Sequence, residues 1–203
     1  MANILILGAG SMGAAFSVPC SDNNHNVTII GTHLENEFID KINLSKIHPS
    51  LDCKIPKNVS FKKYENFMHA IKKEIDLIVV AVSSKGIEWA SNLLSENLVK
   101  TIPILILTKG LAINNNNYEI LAHKMQRIIQ TKGIKELNIS AAGGPCLAKG
   151  LANRIHTSVI FANKDVNVVK KIAKLVSTNY YHISTSDDVV GVEICAAIKN
   201  IFS

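Results

Sequence analysis

The 203-residue sequence has no long apolar run and no basic leader, although 47% of its residues are hydrophobic. Its main apolar runs, residues 75–82 and 102–107, are far shorter than the ~20 residues that a membrane-spanning helix needs. We therefore expect no membrane partner. Because residues 1–3 lead directly into the apolar segment 4–7, we also expect no signal peptide and a cytoplasmic location.

Paired cysteines and clustered charges are also missing. Cys20, Cys53, Cys146 and Cys195 are scattered, with no CxxC pair and no Cys/His cluster of metal-binding spacing, which predicts reduced thiols and no metal site. The net charge of +6 comes from 22 Lys and Arg residues spread along the chain against 16 Asp and Glu residues. This pattern argues against nucleic-acid binding, whereas the positive field would attract a phosphorylated substrate.

Strand and helix patterns alternate along almost the whole chain. Strands are predicted at residues 3–7, 26–30, 59–61, 76–82, 103–107, 137–142, 158–162 and 180–184. A first helix is predicted after the first strand and runs to residue 21. Further helices are predicted at residues 35–44, 64–71, 86–98, 118–129, 166–176 and 187–202. Loops are predicted at residues 48–56 and 114–117. This alternation predicts an α/β protein with a doubly wound, mostly parallel sheet. We expect residues 1–185 to form one dinucleotide-binding domain and residues 186–203 to be the first helix of an incomplete C-terminal substrate domain.

A glycine-rich turn separates the first strand from the first helix. Gly8, Gly10 and Gly13 form a GxGxxG motif, with Ser11 and Met12 inside it. In this position the first glycine permits a tight turn, the second lets a pyrophosphate approach the backbone, and the third lets helix and strand pack closely. The free amide groups at the helix start would hold the phosphates. The motif predicts a Rossmann-type fold that binds a nicotinamide dinucleotide.

The residues after the second strand do not decide between NAD and NADP. An acidic group there would bind the ribose 2′-hydroxyl, and a basic group would bind a 2′-phosphate. Thr32 and His33 supply neither a fixed negative nor a fixed positive charge, and Glu35 is expected to lie one step too far along, on the following helix. The cofactor is therefore NAD or NADP.

Five stretches, in order along the chain, resemble motifs of a known family. They are residues 8–13, residues 76–82, Thr108-Lys109-Gly110-Leu111, Gly144-Pro145, and the segment 187–193 (DDVVGVE) that leads into residues 197–200 (AIKN). The chain thereby resembles the NAD(P)-dependent glycerol-3-phosphate dehydrogenases. That resemblance implies an oxidoreductase that reduces dihydroxyacetone phosphate to glycerol 3-phosphate, a phospholipid precursor, by hydride transfer from the nicotinamide.

The resemblance also implies roles for individual residues. Lys199 would be the catalytic lysine, because an ammonium beside the ketone oxygen can stabilise the alkoxide and then protonate it. Lys109 would contact both cofactor and substrate. The remaining substrate residues would be Gly144, Cys146 and Asn200, and the remaining cofactor residues would be Ser11, Met12, Thr32, His33 and Ala148.

The sequence also departs from the family's pattern. After Gly-Pro the family has a polar residue, then an aromatic or His residue, and later an acid. This chain instead has Cys146-Leu147-Ala148-Lys149-Gly150. After residue 82, where the family commonly has a proline, this chain has Ser83. Family members continue as an all-helical second domain that begins with the helix reaching Ser203. We expect this chain alone to be an inefficient enzyme, completed by a second copy or by a separate C-terminal chain. Two alternatives remain open, a nucleotide-binding module without turnover and a related hydroxy-acid or ketopantoate dehydrogenase.

Overall fold

An eight-stranded sheet with helices on both faces organises the protein. The structure is a computed structural model that describes residues 1–134 and 136–199. The strands are β1 (Asn3–Leu7), β2 (Asn26–Ile30), β3 (Ile47–His48), β4 (Cys53–Lys54), β5 (Val59–Lys62), β6 (Leu77–Val80), β7 (Ile104–Ile106), β8 (Leu111–Asn114), β9 (Asn117–Ile120), β10 (Ile139–Gly143), β11 (Thr157–Ala162) and β12 (Tyr181–Ser186). The helices are α1 (Ser11–Asp22), α2 (Asn36–Ser45), α3 (Phe67–Ile71), α4 (Ile87–Asn97), α5 (Leu121–Gln130), α6 (Ala148–Ala152), α7 (Val166–Val176) and α8 (Val189–Ile198).

The strand order of the main sheet is β12-β11-β10-β7-β6-β1-β2-β5. Neighbouring strands are parallel except β10 and β11, which pair antiparallel. From β1 the chain winds outward through β2 to β5 and then returns to β6 on the other side of β1. This reversal opens a crevice at the carboxyl ends of β1 and β6, where doubly wound sheets bind their ligands. The predicted fold class is confirmed.

Burial on both faces explains why the central strands are almost continuously aliphatic. Along β1, Ile4 and Ile6 belong to one apolar cluster, and Leu5 and Leu7 to the cluster on the opposite face. All four residues of β6 have no solvent exposure. A run without polar alternation is typical of a parallel strand that is covered by helices on both sides.

Two predicted loops contain hairpins. Residues 48–56 include the antiparallel pair β3–β4, and residues 114–117 form the tight turn of the β8–β9 hairpin. Asn115 and Asn116 have φ angles of 49° and 62°. Asparagine tolerates this left-handed conformation, and two such residues in a row form the turn that matches the twist of a hairpin. The helix predicted at 118–129 therefore begins only at Leu121.

Two further differences concern helices. The short helix α6 was not predicted, because the glycine and proline of the preceding segment indicated a break. The predicted helix 187–202 is present as α8, and its last residues, from Asn200 onward, lie outside the described residues. Among the helices of the described chain, none is both long and apolar enough to cross a membrane.

Candidate functional site

The glycine-rich turn lies at the carboxyl end of β1, inside the crevice. Gly8 has a φ of +108°, and a Cβ atom at this position would lie 2.7 Å from the carbonyl oxygen of Ala81. A Cβ at Gly13 would lie 2.3 Å from the carbonyl oxygen of Gly8. Both distances are far below van der Waals contact, so side chains at Gly8 and Gly13 are excluded by the packing of the turn itself.

Gly10 differs from these two glycines because the protein leaves space beside it. Its φ of −67° and ψ of 177° are accessible to any residue. Apart from its neighbours in the chain, a Cβ at Gly10 would meet one atom of the described residues within 4 Å, the Glu35 Oε1 at 3.9 Å. The absence of a side chain at Gly10 therefore keeps the crevice open, as a pyrophosphate lying against the backbone requires.

The first turn of α1 faces the same space. Ser11 and Met12 begin the helix, and no side chain in the described part of the chain caps it. The first amide groups of an α-helix have no partner inside the helix, and the helix dipole places partial positive charge there. The site thus fits the phosphates of a dinucleotide in both shape and charge.

The turn after β2 borders the other end of the crevice. Glu35 was expected to lie too far along the helix, but it is the residue that precedes α2, and its side chain bends back toward the glycine-rich turn. Its Oε2 accepts hydrogen bonds from the Thr32 amide at 2.7 Å and the Ala9 amide at 3.2 Å. The earlier expectation was wrong because it counted positions along the chain and ignored the reach of the glutamate side chain.

His33 lies on the outer side of this turn. Its ring centroid is 6.0 Å from that of Trp89 on α4, and the histidine is exposed. Thr32 is half-buried, and its Oγ1 accepts a hydrogen bond from the Leu34 amide at 3.4 Å. Both predicted cofactor residues therefore lie at the end of the crevice where β2 leads into α2.

A cavity of about 320 Å³ lies between the glycine-rich turn and the ends of β7 and β10. Met12, Lys109, Gly144 and Cys146 line it, as the sequence predicted for residues of one site. The sequence missed Tyr181, a buried residue of β12 that also lines it. The cavity is continuous with the glycine-rich turn through Met12.

Lys109 is held in a defined position inside this cavity. Its Nζ donates a hydrogen bond to the Gly144 carbonyl oxygen at 2.9 Å. Burial lowers the pKa of Lys109, and the charge of Lys199 lowers it further. Burial also raises the pKa of the Cys146 thiol, so Cys146 contributes a neutral group beside the ammonium.

Lys199 follows the last turn of α8 and lines a second cavity of about 390 Å³. Gly143 and Gly144 line both cavities, so the two lysines border cavities that meet at this short segment. The electrostatic effect of Lys199 on Lys109 agrees with this proximity. The structure therefore brings together Lys109 and Lys199, which are distant in sequence.

Two interactions fix α8, and with it Lys199, against the sheet. Asp188 caps the helix by accepting a hydrogen bond from the Gly191 amide at 2.8 Å. Glu193 is only 4% exposed, and its Oε2 accepts a hydrogen bond from the Ala122 amide at 3.0 Å, at the start of α5. Burial raises the pKa of Glu193 to about 7. These contacts explain why acids occur at both ends of the segment 187–193.

Ala148 is the predicted site residue that the structure places in a short helix beside the crevice. Ala148 lies in the first turn of α6 and packs against the core, and it is not among the residues that line either cavity. Asn200 lies outside the described residues.

The strand order, the glycine-rich turn at the point of strand reversal and the open helix start define the chain as a Rossmann-type dinucleotide-binding domain. Residues 3–169 match the model of a family described as NAD-dependent glycerol-3-phosphate dehydrogenase N-terminus. The chain belongs to this family.

Individual relatives agree with the family match. The glycerol-3-phosphate dehydrogenase (NAD(P)+) of Rickettsia typhi is 33% identical over 205 residues, which cover 99% of this chain and 60% of the relative. The NADP(+)-dependent glycerol-3-phosphate dehydrogenase of Archaeoglobus fulgidus is 28% identical over 200 residues, or 98% of this chain and 58% of the relative. A crystal structure of the Coxiella burnetii glycerol-3-phosphate dehydrogenase shares the fold, with a TM-score of 0.85 and 21% identity over 98% of this chain and 58% of that one. The chain thus spans less than two thirds of the length of these relatives.

Proposed function

We propose that this chain is the cofactor-binding part of an NAD(P)-dependent glycerol-3-phosphate dehydrogenase, which interconverts dihydroxyacetone phosphate and glycerol 3-phosphate. The observation that carries the proposal is that Lys109 and Lys199 line two cavities that share Gly143 and Gly144, next to the glycine-rich turn. The names of the relatives support the reaction. The family match favours it over a hydroxy-acid or ketopantoate dehydrogenase.

The proposed cofactor site runs along the carboxyl edge of the sheet. The amides around Gly10, Ser11 and Met12 would hold the pyrophosphate, and the turn at Thr32 and His33 would border the adenosine. Ala148, on the short helix that packs beside α1, would contribute through that packing. The nicotinamide end would lie toward the cavity that contains Lys109. A bound NADH or NADPH would supply the hydride for the reaction.

The two lysines have distinct proposed roles on the substrate side. The Lys199 ammonium would stabilise the negative charge that develops on the ketone oxygen and then donate a proton to it. Lys109, fixed by the Gly144 carbonyl, would donate a second hydrogen bond to the substrate oxygen or phosphate. Cys146 would border the substrate, and Asn200 would help to hold its phosphate. The net charge of +6 favours the approach of an anionic substrate.

We further propose that residues 1–185 form the cofactor domain and that residues 186–203 begin a second domain. Val190 and Ile194 on α8 are 42% and 37% exposed, and Ile160 on β11, a strand that α8 contacts, is 41% exposed. Exposed apolar side chains on neighbouring elements are typical of a surface covered by another part of the assembly. The relatives are longer than this chain, which supports a further domain of the same polypeptide as the cover. If a second copy covered this surface instead, the purified protein would sediment as a dimer.

The test of the reaction is the formation of glycerol 3-phosphate from dihydroxyacetone phosphate and NADH or NADPH by the purified chain in excess over nucleotide. Product should form slowly in the wild type and not in Lys199→Ala, while the Kd for the nucleotide stays within about twofold. Lys100→Ala is the matched control, because this exposed lysine precedes β7 at the opposite end of the sheet. It should leave both product formation and affinity unchanged.

Turnover by this chain and the role of Lys199 are contradicted by different outcomes. A folded wild-type chain that binds nucleotide and forms no product supports a binding module without turnover for this chain alone. Loss of nucleotide binding in Lys199→Ala contradicts the assignment of Lys199 to the substrate and makes it a cofactor or structural residue.

A further inference from the structure

Glu35 connects the two turns that border the adenosine end of the crevice. Its Oε2 accepts hydrogen bonds from one amide in the glycine-rich turn, Ala9, and from one in the turn after β2, Thr32. The carboxylate is half-buried rather than free on the surface. Two main-chain donors therefore hold it at a defined place between the turns.

A second residue makes the same arrangement rigid. The Nε2 of His48 lies 3.1 Å from the carbonyl oxygen of Ala9 and donates a hydrogen bond to it. His48 is completely buried, and burial lowers its pKa, so it stays neutral beside the carboxylate. The Ala9 amide thus donates to Glu35, and the Ala9 carbonyl oxygen accepts from His48. Both polar groups of this backbone position are therefore fixed.

The second carboxylate oxygen of Glu35 faces the open space beside Gly10. Apart from the residues next to Gly10 in the chain, Oε1 is the one atom of the described residues within 4 Å of a Cβ placed on Gly10, at 3.9 Å. It has no hydrogen-bond partner among residues 1–134 and 136–199. Because Oε2 is already bound by amides, Oε1 is the oxygen that remains available to accept a hydrogen bond from a ligand in the crevice.

The surrounding charges do not favour an additional phosphate. Residues 31–36 contain no lysine or arginine. Lys62 and Lys63 end and follow the neighbouring strand β5, where the Lys62 carbonyl binds the Gly31 amide. The Lys63 ammonium is paired with Asp40 at 2.7 Å, and Lys62 is exposed. The fixed carboxylate is thus the charged group that directly faces the crevice at this end.

We infer that Glu35 makes this site selective for NAD(H) over NADP(H), because its carboxylate can accept a hydrogen bond from the ribose 2′-hydroxyl and repels a 2′-phosphate. A phosphate at the 2′ position would place a second negative charge close to a carboxylate that two amides prevent from moving away. The inference rests on the proposed dinucleotide site and specifies its cofactor.

The test compares the Kd values of NADH and NADPH for the purified chain, measured from the fluorescence of the reduced nicotinamide. The wild type should bind NADH at least about tenfold more tightly than NADPH. Glu35→Gln keeps the size and an acceptor oxygen but removes the charge, so the ratio should fall toward one, mainly through tighter binding of NADPH. Glu37→Gln is the matched control, because this exposed acid in the first turn of α2 should leave the ratio unchanged.

A competition experiment isolates the 2′ group. 5′-AMP should displace NADH from the wild type more effectively than 2′,5′-ADP, which differs from it by the 2′-phosphate alone. This comparison uses the wild type, so it decides the question even if Glu35→Gln does not fold.

Equal or tighter binding of NADPH by the wild type overturns the inference and leaves the dinucleotide site in place. An unchanged ratio in a folded Glu35→Gln variant overturns the role of Glu35. A folded wild-type chain that binds neither dinucleotide overturns the proposed function and the selectivity together.

Discussion

The three glycines of the glycine-rich turn are required for different physical reasons. At Gly13 a Cβ would collide with the Gly8 carbonyl at 2.3 Å, whereas at Gly10 a Cβ would make no close contact with the protein. The same GxGxxG letters therefore combine glycines that the fold needs with one that the fold itself does not need. Gly10 is therefore the glycine at which we expect a ligand, rather than the fold, to require the open space.

This difference gives a prediction for two alanine variants. Gly13→Ala should lower the free energy of unfolding by about 2 kcal/mol or more, because backbone atoms must move to admit the methyl group. Gly10→Ala should change it by less than about 0.5 kcal/mol but weaken NADH binding at least about tenfold. Urea unfolding and NADH titration measure the two effects.

Gly150→Ala is the control for both variants, since a Cβ there would lie 4.0 Å from its nearest neighbours. Full NADH affinity in a stable Gly10→Ala variant would show that no phosphate approaches this backbone. A large loss of stability in Gly10→Ala would show that the space beside Gly10 is needed for folding instead.

At the scale of elements, α8 depends on a buried acid. Glu193 places its carboxylate at the start of α5, and its Oε1 is buried without a hydrogen-bond partner among the described residues. A carboxyl group in this environment favours its protonated form, which is why its pKa rises to about 7. The packing of α8 on α5 is therefore sensitive to pH.

The sign of this dependence follows from proton uptake on folding. Between pH 4.5, the usual pKa of this group, and pH 7 the folded chain binds a proton that the unfolded chain does not. The contribution to stability is therefore complete below about pH 4.5 and is lost as the pH rises through about 7. Its size is on the order of 3 kcal/mol, because each unit of pKa corresponds to about 1.36 kcal/mol.

We expect the neutral variant Glu193→Gln to remove this contribution to the pH dependence, because an amide has no proton to lose in this range. Urea unfolding at pH 5 and pH 8 should show a smaller difference between the two pH values for Glu193→Gln than for the wild type. Glu96→Gln, an exposed residue of α4, should behave like the wild type. Equal pH dependence in Glu193→Gln and the wild type would mean that Glu193 stays ionised in the folded chain.

The sequence predicted helices and strands well where burial determines their composition. It predicted poorly where the conformation or contacts of one or two residues determine the local structure. The aliphatic strand at residues 76–82 and the helix at residues 166–176 were predicted because runs and periodicity reflect their packing. The β8–β9 hairpin was missed because two left-handed asparagines decide it. The position of the Glu35 carboxylate was missed because it depends on how two separate turns approach each other in the fold.

At the scale of the whole molecule, the alternation of strands and helices predicted the class of fold but not the strand order. The antiparallel pairing of β10 with β11 depends on long-range contacts that no local pattern records. The predicted site residues nevertheless lie mostly along one crevice, because ligand-binding turns of a doubly wound sheet follow the carboxyl ends of its strands. The motifs therefore predicted residues that the fold brings close together, and the distances between them come from the fold.

The central claim is that this crevice binds a nicotinamide dinucleotide, and the chain contains a reporter for it. Trp89 is the only tryptophan, and its ring lies 6.0 Å from that of His33 at the adenosine end. The most direct measurement is a titration of the purified chain with NADH, followed by quenching of the Trp89 fluorescence. We predict saturable quenching in the wild type and at least about tenfold weaker binding in Gly10→Ala. A folded wild-type chain whose fluorescence shows no saturable change with NADH would contradict the account.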